Sequence, residues 1–252
     1  MHLLAIPNIP EIKPQDDLAS IITDAISLAE IELQDGDILV IAQKIVSKSE
    51  NRFINLKSIK PSKHAQSLAK LVNKDPRLVE VILSESIEVV RHSPGVLIVE
   101  HRLGYIMANA GVDASNIGNK TDVLEMVLLL PKDPNGTCIQ LRNYFENTFE
   151  RQIGIIISDS VGRAWRNGSV GLALGVAGPP ALWDRVGDKD LYGRSLNVTE
   201  VGFADQIASA AALIMGEGNE GLPVIKVNGL NWTPVEGNAD TLLRPKEKDL
   251  FR

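Results

Sequence analysis

The sequence has little of what marks several specialised protein classes. Its 252 residues include a single cysteine, Cys138, which excludes a disulfide framework and a cysteine-based zinc cluster. The flanking Thr137 and Ile139 offer no basic group to activate a thiolate, so we expect a structural role for Cys138. The histidines share no metal-ligand spacing and are predicted to be structural or exposed. They are His2, His64, His92 and His101.

Long apolar runs and an excess of positive charge are also absent. No window approaches the ~20 apolar residues that a membrane span needs, and the first residues lack the basic start of a signal peptide. We therefore expect a cytoplasmic protein without a membrane partner. With 26 basic and 32 acidic residues the net charge is -6, which argues against a general nucleic-acid binder. A few basic side chains can still hold a single phosphate group.

Two nucleotide-binding signatures are missing as well. No G-x-x-x-x-G-K-[ST] sequence occurs, and no G-x-G-x-x-G opens a helix after a strand. A P-loop and a dinucleotide-binding fold therefore receive no support.

The chain has the composition of an ordinary globular protein that can bury a core. Hydrophobic residues make up 44%, and the length allows one large domain or two modest ones. The apolar patterns predict helices over residues 16–29, 61–72, 75–83, 137–149 and 199–215, with a turn at 133–136 before the fourth. They predict strands over residues 38–42, 95–99, 153–157 and 224–227. The absence of a clean βαβ rhythm favours a mixed α+β fold.

Three short stretches place acidic residues on glycine-containing or polar turns. They are NAGVDASN at residues 109–116, SDS at 158–160 and MGEGNEG at 215–221. The second follows the apolar run 153–157, so Asp159 is expected where a strand stops. Carboxylates and hydroxyls suit hard divalent cations, and glycine lets main-chain amides approach phosphates. The alternative is that each aspartate caps a helix or pins a turn.

Basic residues follow two of the predicted strands. Lys44 and Lys48 come four residues apart after strand 38–42 and could reach a phosphate, or be solvated on a loop. Arg163 and Arg166 follow Asp159, and their forks suit carboxylate or phosphate groups. Trp165 could stack on a planar ring or belong to the core or an interface. The charged residues 188–194 could form a solvated surface loop.

Together these stretches resemble one family, the coenzyme F420-0:L-glutamate ligases, or CofE-type γ-glutamyl ligases. The matching segments occur in the family's order and spacing between about residues 9 and 230. They are QKIVSK at 43–48, NAGVDASN at 109–116, SDS at 158–160 with GR at 162–163 and WR at 165–166, DLYGR at 190–194, and MGEG at 215–218.

The resemblance implies an amide-forming acid–amino-acid ligase. GTP would drive addition of L-glutamate to the terminal carboxylate of the deazaflavin coenzyme F420-0 through an acyl phosphate, releasing GDP and phosphate. Mg²⁺ or Mn²⁺ at two sites, and K⁺, would take part. The implied architecture is an α+β fold with a mixed sheet and two subdomains, in an intertwined homodimer. Residues 1–252 would form one ligase domain, with a possible inserted subdomain at about 85–185.

The resemblance also implies roles for individual residues. Catalytic roles fall to Asp113, Asp159, Arg163 and Arg166. Metal ligation falls to Asp113, Asp159, Ser160 and Glu217. Contacts with GTP fall to Ile9, Pro10, Glu11, Ile12, Gln43, Lys44, Lys48, Asn116, Met215, Gly216, Glu217, Gly218, Asn219, Glu220 and Gly221.

Two departures from the family pattern concern the acceptor. Ala164 stands where a proline is common, and Gln206 stands where some relatives carry an acid. Neither removes a proposed ligand, but both leave the choice of acceptor open. The alternatives are the same GTP and metal chemistry on another small carboxylate, and a nucleotide-binding dimer without catalysis.

Overall fold

The computed structural model describes residues 1–116 and 125–250. Its strands are β1 (His2–Ala5), β2 (Ile38–Ala42), β3 (Phe53–Asn55), β4 (Ser86–Ser93), β5 (Val96–His101), β6 (Ile106–Ala108), β7 (Met126–Leu128), β8 (Gly154–Arg163), β9 (Arg166–Ala177), β10 (Leu182–Asp184), β11 (Glu200–Gly202) and β12 (Val224–Asn228). Its α-helices are α1 (Leu18–Leu28), α2 (Gln43–Ser49), α3 (Lys63–Val72), α4 (Pro76–Ser84), α5 (Pro134–Phe149) and α6 (Phe203–Met215).

A five-stranded mixed sheet in the order β1-β12-β2-β8-β9 forms the centre of the fold. Strands β2 and β8 run parallel, and the other neighbours in this sheet are antiparallel. Smaller antiparallel sheets join β4-β5-β6, β3-β7 and β10-β11. These pairings confirm the predicted α+β class with a mixed sheet.

Helices cover both faces of the central sheet. On one face Leu39 and Ile155 pack with the buried sides of α1 and α5. On the other face Val40 and Ile156 pack with α6. Burial on both faces explains why β2 and the first half of β8 read as continuous apolar runs rather than alternating ones.

Polar residues at the helix starts explain several element boundaries. Asp17 accepts a hydrogen bond from the amide of Ser20 at 3.1 Å, and Ser62 accepts one from the amide of Ala65 at 3.1 Å. Helices α4 and α5 each begin with an aspartate followed by proline, whose missing amide is harmless in the first turn. These capping side chains and prolines therefore mark where the helices start.

A second apolar cluster lies beside the central sheet. Helices α3 and α4 pack on β5, with Leu97, Val99 and Ala110 buried among them. Met107 of β6 and Val161 of β8 share a further small cluster with Leu130 and Leu174. The division into two subdomains and the inserted subdomain at about 85–185 stay predictions.

Several predicted elements are confirmed, and two predicted boundaries are wrong: the end of the strand before Asp159 and the start of the last helix. The helices near 16–29, 61–72, 75–83 and 137–149 and the strands at 38–42, 95–99 and 224–227 are present, although the fourth helix already begins at Pro134. Strand β8 does not stop before Asp159 but continues to Arg163, because β9 goes on pairing with it. Residues 43–49 form helix α2, and the glycine-rich residues after 165 form β9. The last predicted helix begins at Phe203, since residues 200–202 form β11.

Within residues 1–116 and 125–250, none of the helices combines the length and apolarity that a membrane span requires.

Candidate active site

A cleft of about 650 Å³ opens where β2 ends beside β8. Most of the residues that the sequence assigns to nucleotide or metal binding line it. They are Ile9, Pro10, Glu11, Ile12, Gln43, Lys44, Lys48, Asp113, Asn116, Asp159, Ser160, Met215, Gly216, Glu217, Gly218, Asn219 and Gly221. Segments far apart in sequence thus meet at one place.

The parallel pair β2 and β8 positions the floor of the cleft. Ala42, the last residue of β2, lies opposite Ser158 of β8. Helix α2 then starts at once with Gln43 and Lys44, while β8 continues into Asp159 and Ser160. Because parallel strands end at the same edge of a sheet, the lysine-bearing helix and the aspartate come together there.

Lys44, Asp113 and Ser115 form a hydrogen-bonded cluster on one wall. Lys44 Nζ donates to Asp113 Oδ2 at 2.7 Å and to Ser115 Oγ at 3.0 Å. The Ser115 amide and hydroxyl donate to the two oxygens of Asp113 at 2.7 and 2.9 Å. Burial opposes ionisation of Asp113, but the hydrogen bonds from Lys44 and Ser115 outweigh it and lower its pKa. Asp113 is therefore held as a carboxylate.

Ser115 is a cleft residue that the sequence reasoning did not single out. It lies inside the NAGVDASN stretch, two positions after Asp113, which is the spacing at which an aspartate side chain accepts from a main-chain amide. That local signal predicts the turn. The contact with Lys44 depends on the tertiary fold.

Asp159 has a different electrostatic environment from Asp113. Burial raises its pKa to about 6, and the nearby charge of Asp113 acts in the same direction. The Ser160 amide, the charge of Lys44 and the Gln43 side chain oppose this rise. Because burial disfavours an isolated negative charge here, the ionised Asp159 would be stabilised by a nearby cation.

Lys48 is a buried basic group in the same cleft. Only 8% of the residue is exposed. Burial lowers its pKa, although the charge of Glu11 acts in the opposite direction, and Lys44 adds to the lowering. A desolvated ammonium beside an open cleft gains from an anionic ligand more than a solvated one does.

The turn after α6 closes the opposite wall. Glu217 Oε1 accepts from Ser160 Oγ at 2.7 Å. Asn116 Nδ2 donates to the carbonyl of Gly218 at 3.1 Å and so joins this turn to the Asp113 segment. Glu220 does not line the cleft; its carboxylate accepts from the Gly218 amide at 2.8 Å and supports the turn.

A sequence model of the family described as F420-0:gamma-glutamyl ligase matches residues 7–229. The chain belongs to this family. A coenzyme F420:L-glutamate ligase of Methanothermobacter thermautotrophicus is 42% identical over 100% of this chain and 99% of its own length. Proteins of the same name from Methanocaldococcus jannaschii and Archaeoglobus fulgidus are 45% and 38% identical, over 89% and 100% of this chain and 88% and 96% of their own lengths.

Membership of this ligase family confirms the resemblance noted in the sequence and the prediction of an amide-forming ligase. The dependence on GTP, the metal ions, K⁺ and the homodimer stay predictions. So do the roles of individual residues in the cleft, although the fold brings most of them together.

The acidic residues fit a cation that is shared with a substrate rather than one caged by protein alone. Within the described part of the chain, no group of three or more histidine, cysteine, aspartate or glutamate residues could hold a metal ion. Asp113 and Asp159 offer one set of oxygen donors, and Ser160 and Glu217 offer another. Mg²⁺ is commonly bound by one or two carboxylates together with substrate phosphates and water. The donor chemistry therefore fits a nucleotide-linked divalent cation.

The two arginines lie outside the cleft. Arg163 and Arg166 face each other at the end of the β8–β9 hairpin, and both are exposed. Trp165 between them is 85% exposed, so it is not part of the core of this chain. Residues 188–194 are also largely exposed, as expected for a surface loop. The role of the two arginines in holding acidic substrate groups stays a prediction.

Proposed function

We propose that this protein uses GTP to join L-glutamate to the terminal carboxylate of coenzyme F420-0, releasing GDP and phosphate. The observation that carries the proposal is the single cleft in which Lys44, Lys48, Asp113, Asp159 and the turn at 215–221 meet. Family membership and the names of the relatives support the acceptor and the glutamate. The lysines and carboxylates of the cleft support a nucleoside triphosphate as the energy source.

The reaction needs two steps because amide formation from a free carboxylate is uphill in water. An oxygen of the acceptor carboxylate first attacks the γ-phosphorus of GTP, and the bond to the β-phosphate oxygen breaks to release GDP. The glutamate amine then attacks the carbonyl carbon of the resulting acyl phosphate and expels phosphate. The amine loses a proton in this second step, so that a neutral amide is formed.

The basic and amide groups of the cleft would bind and orient the nucleotide. Lys44 and Lys48 complement the triphosphate as point charges. Their sequence neighbour Gln43 and residues 9–12 line the same space. Asn116 joins the turn at 215–221 to the Asp113 segment through its hydrogen bond to the carbonyl of Gly218. Such positioning and charge complementarity supply most of the catalysis in phosphoryl transfer.

The acidic residues would hold the divalent cations. Asp113 and Asp159 would share one ion, and Ser160 and Glu217 would serve another. When bound, Mg²⁺ or Mn²⁺ neutralises phosphate charge and orients the acceptor. Lys44 and Ser115 keep Asp113 ionised by donating hydrogen bonds to its carboxylate. K⁺ and an intertwined homodimer are part of the same proposal.

Mass spectrometry of the acceptor after incubation with GTP, Mn²⁺ and L-glutamate tests the activity. The expected product carries one or more additional glutamyl groups. Asp159→Asn should lower the rate by about a hundredfold or more, because a charge in the cleft is lost while the shape is kept. Asp24→Asn on the exposed side of α1 is the matched control and should leave the rate unchanged. A near wild-type rate in Asp159→Asn would refute the assignment of this carboxylate.

The same assay separates the two alternatives. Phosphate release from GTP with another small carboxylate, and none with F420-0, would show the same chemistry on a different acceptor. Thermal stabilisation by GTP and Mn²⁺ without phosphate release on any acceptor would show a nucleotide-binding dimer without catalysis.

A further inference from the structure

Glu217 is held by a second hydroxyl besides that of Ser160. Its Oε1 accepts hydrogen bonds from Ser160 Oγ at 2.7 Å and from Ser169 Oγ at 3.2 Å. Ser160 lies on β8 and Ser169 on the neighbouring strand β9. Ser169 is 48 positions from Glu217 in sequence, so the tertiary fold creates this contact.

The strand register explains why both hydroxyls reach one carboxylate. Ser160 lies opposite Gly171, and Ser169 lies opposite Gly162. Directly opposed residues share a face of an antiparallel pair, and so do residues two positions apart on a strand. The two serines are therefore diagonal neighbours on one face of the hairpin.

Helix α6 brings Glu217 onto that face. A Cβ at Gly171 would lie 2.4 Å from the carbonyl oxygen of Ala208, so helix and strand pack as closely as a glycine allows. Helix α6 ends at Met215, two residues before Glu217. The close packing of α6 on β9 therefore places Glu217 beside the two serines.

Without these hydroxyls the Glu217 side chain would have considerable freedom. It is exposed and lies between Gly216 and Gly218, which leave the backbone permissive. A glutamate side chain also loses substantial rotamer entropy when it is fixed. Two hydrogen bonds to the same oxygen restrict the carboxylate and leave its other oxygen outside this pair of bonds.

We propose that Ser169 is a positioning residue that holds the Glu217 carboxylate in its cation-binding orientation. The inference rests on the metal role proposed for Glu217. Ser169 does not line the cleft, so it acts through Glu217 rather than on a substrate. Ser160 is itself proposed as a ligand, whereas Ser169 has only the supporting role. Hydrogen-bonding partners of this kind tune the affinity of the ligands that they orient.

Direct titration of the full-length protein with Mn²⁺ in the presence of GTP tests the inference, with free Mn²⁺ followed by electron paramagnetic resonance. We expect Ser169→Ala to weaken Mn²⁺ binding by about tenfold. Ser169→Thr and Ser169→Val form a matched pair that differs in the hydroxyl, and only the threonine variant should retain affinity near wild type. Ser27→Ala, on the exposed side of α1, should bind like wild type.

A double-mutant cycle with Glu217→Ala identifies the route of the effect. If Ser169 acts through Glu217, its removal should weaken Mn²⁺ binding no further once Glu217 is gone. A full further loss in that background would overturn the inference. If the wild type binds Mn²⁺ and both Ser169→Ala and Ser169→Val bind it equally well, the role of Ser169 is refuted while the metal role of Glu217 stands. Failure of the wild type to bind Mn²⁺ with GTP would overturn the metal role of Glu217 and this inference together.

Discussion

The buried ion cluster around Glu85 should make the free energy of unfolding decrease at acid pH. Glu85 follows α4, and its side chain is 12% exposed. Its Oε2 accepts from Arg52 at 2.8 Å and from Arg102 at 3.1 Å. Arg52 also donates to the carbonyl of Leu130 at 2.8 Å. The cluster therefore joins the chain before β3, the end of α4, the turn after β5 and the segment after β7.

The charge environment of Glu85 sets the magnitude of its contribution. Burial opposes ionisation, but His101, Arg102 and Arg52 outweigh it and lower the pKa of Glu85 from its ordinary value of 4.5 to about 2. A carboxyl with a depressed pKa in the folded state stabilises the fold fully above its unfolded pKa and loses this contribution as the pH falls. The full contribution near neutral pH is about 3 kcal/mol, of which roughly 1.4 kcal/mol is lost by pH 3.5.

Urea unfolding of wild type and Glu85→Gln at pH 7 and pH 3.5 measures this contribution. The glutamine keeps the shape of a protonated glutamate, so the difference in the free energy of unfolding should shrink by roughly 1.4 kcal/mol at the lower pH. Glu88→Gln is the control, because Glu88 and its partner Lys246 are 41% and 64% exposed. Its effect should stay below about 1 kcal/mol at both pH values. A pH-independent difference for Glu85→Gln would refute the reasoning.

Two further substitutions test the packing and the buried charges of the central sheet. Gly171→Ala should destabilise the protein by about 1–3 kcal/mol, because the new Cβ would lie 2.4 Å from the carbonyl oxygen of Ala208. Gly162→Ala is the control and should be near neutral in the same urea experiment, because the space around its Cβ is open. Equal effects of the two substitutions would contradict the steric account. Asp37→Ala should lower the free energy of unfolding by about 3–5 kcal/mol, because the buried Lys226 ammonium, 2.9 Å from Asp37 Oδ2, would lose its carboxylate partner. Asp188→Ala, in an exposed ion pair with Arg185, should lower it by less than about 1 kcal/mol. A similarly small decrease for both variants would show that water reaches Lys226.

The elements with one strong local signal were predictable from the sequence. Strand β2 is a short apolar run, and β12 is apolar up to Val227 except for Lys226. Helices α3 and α4 start directly after their capping residues Ser62 and Asp75. Strand β4 was missed because much of it is exposed and polar. Its pairing with β5, rather than an apolar pattern of its own, makes it a strand.

Strand β9 shows how tertiary packing can override local preference. Glycine disfavours strands, and this segment contains Gly168, Gly171 and Gly175. Two of them are needed where helices press on the sheet: a Cβ at Gly171 would meet Ala208 of α6, and one at Gly175 would lie 2.5 Å from the carbonyl oxygen of Pro134. Local preference disfavours a strand here, yet the segment is one, and its glycines admit close neighbours.

The candidate site could be predicted by residue type but not by arrangement. The contacts that assemble it join Lys44 to Asp113 across 69 positions, Ser160 to Glu217 across 57, and Asn116 to Gly218 across 102. Each depends on individual side chains that are far apart in sequence, so none leaves a periodic trace. The apolar runs before Lys44 and Asp159 do predict two buried strands, yet periodicity cannot say that these strands are parallel neighbours. That adjacency turns two separate strand ends into one floor of the cleft. The family resemblance implies a shared site for Lys44 and Asp159 but not the pairing of their strands.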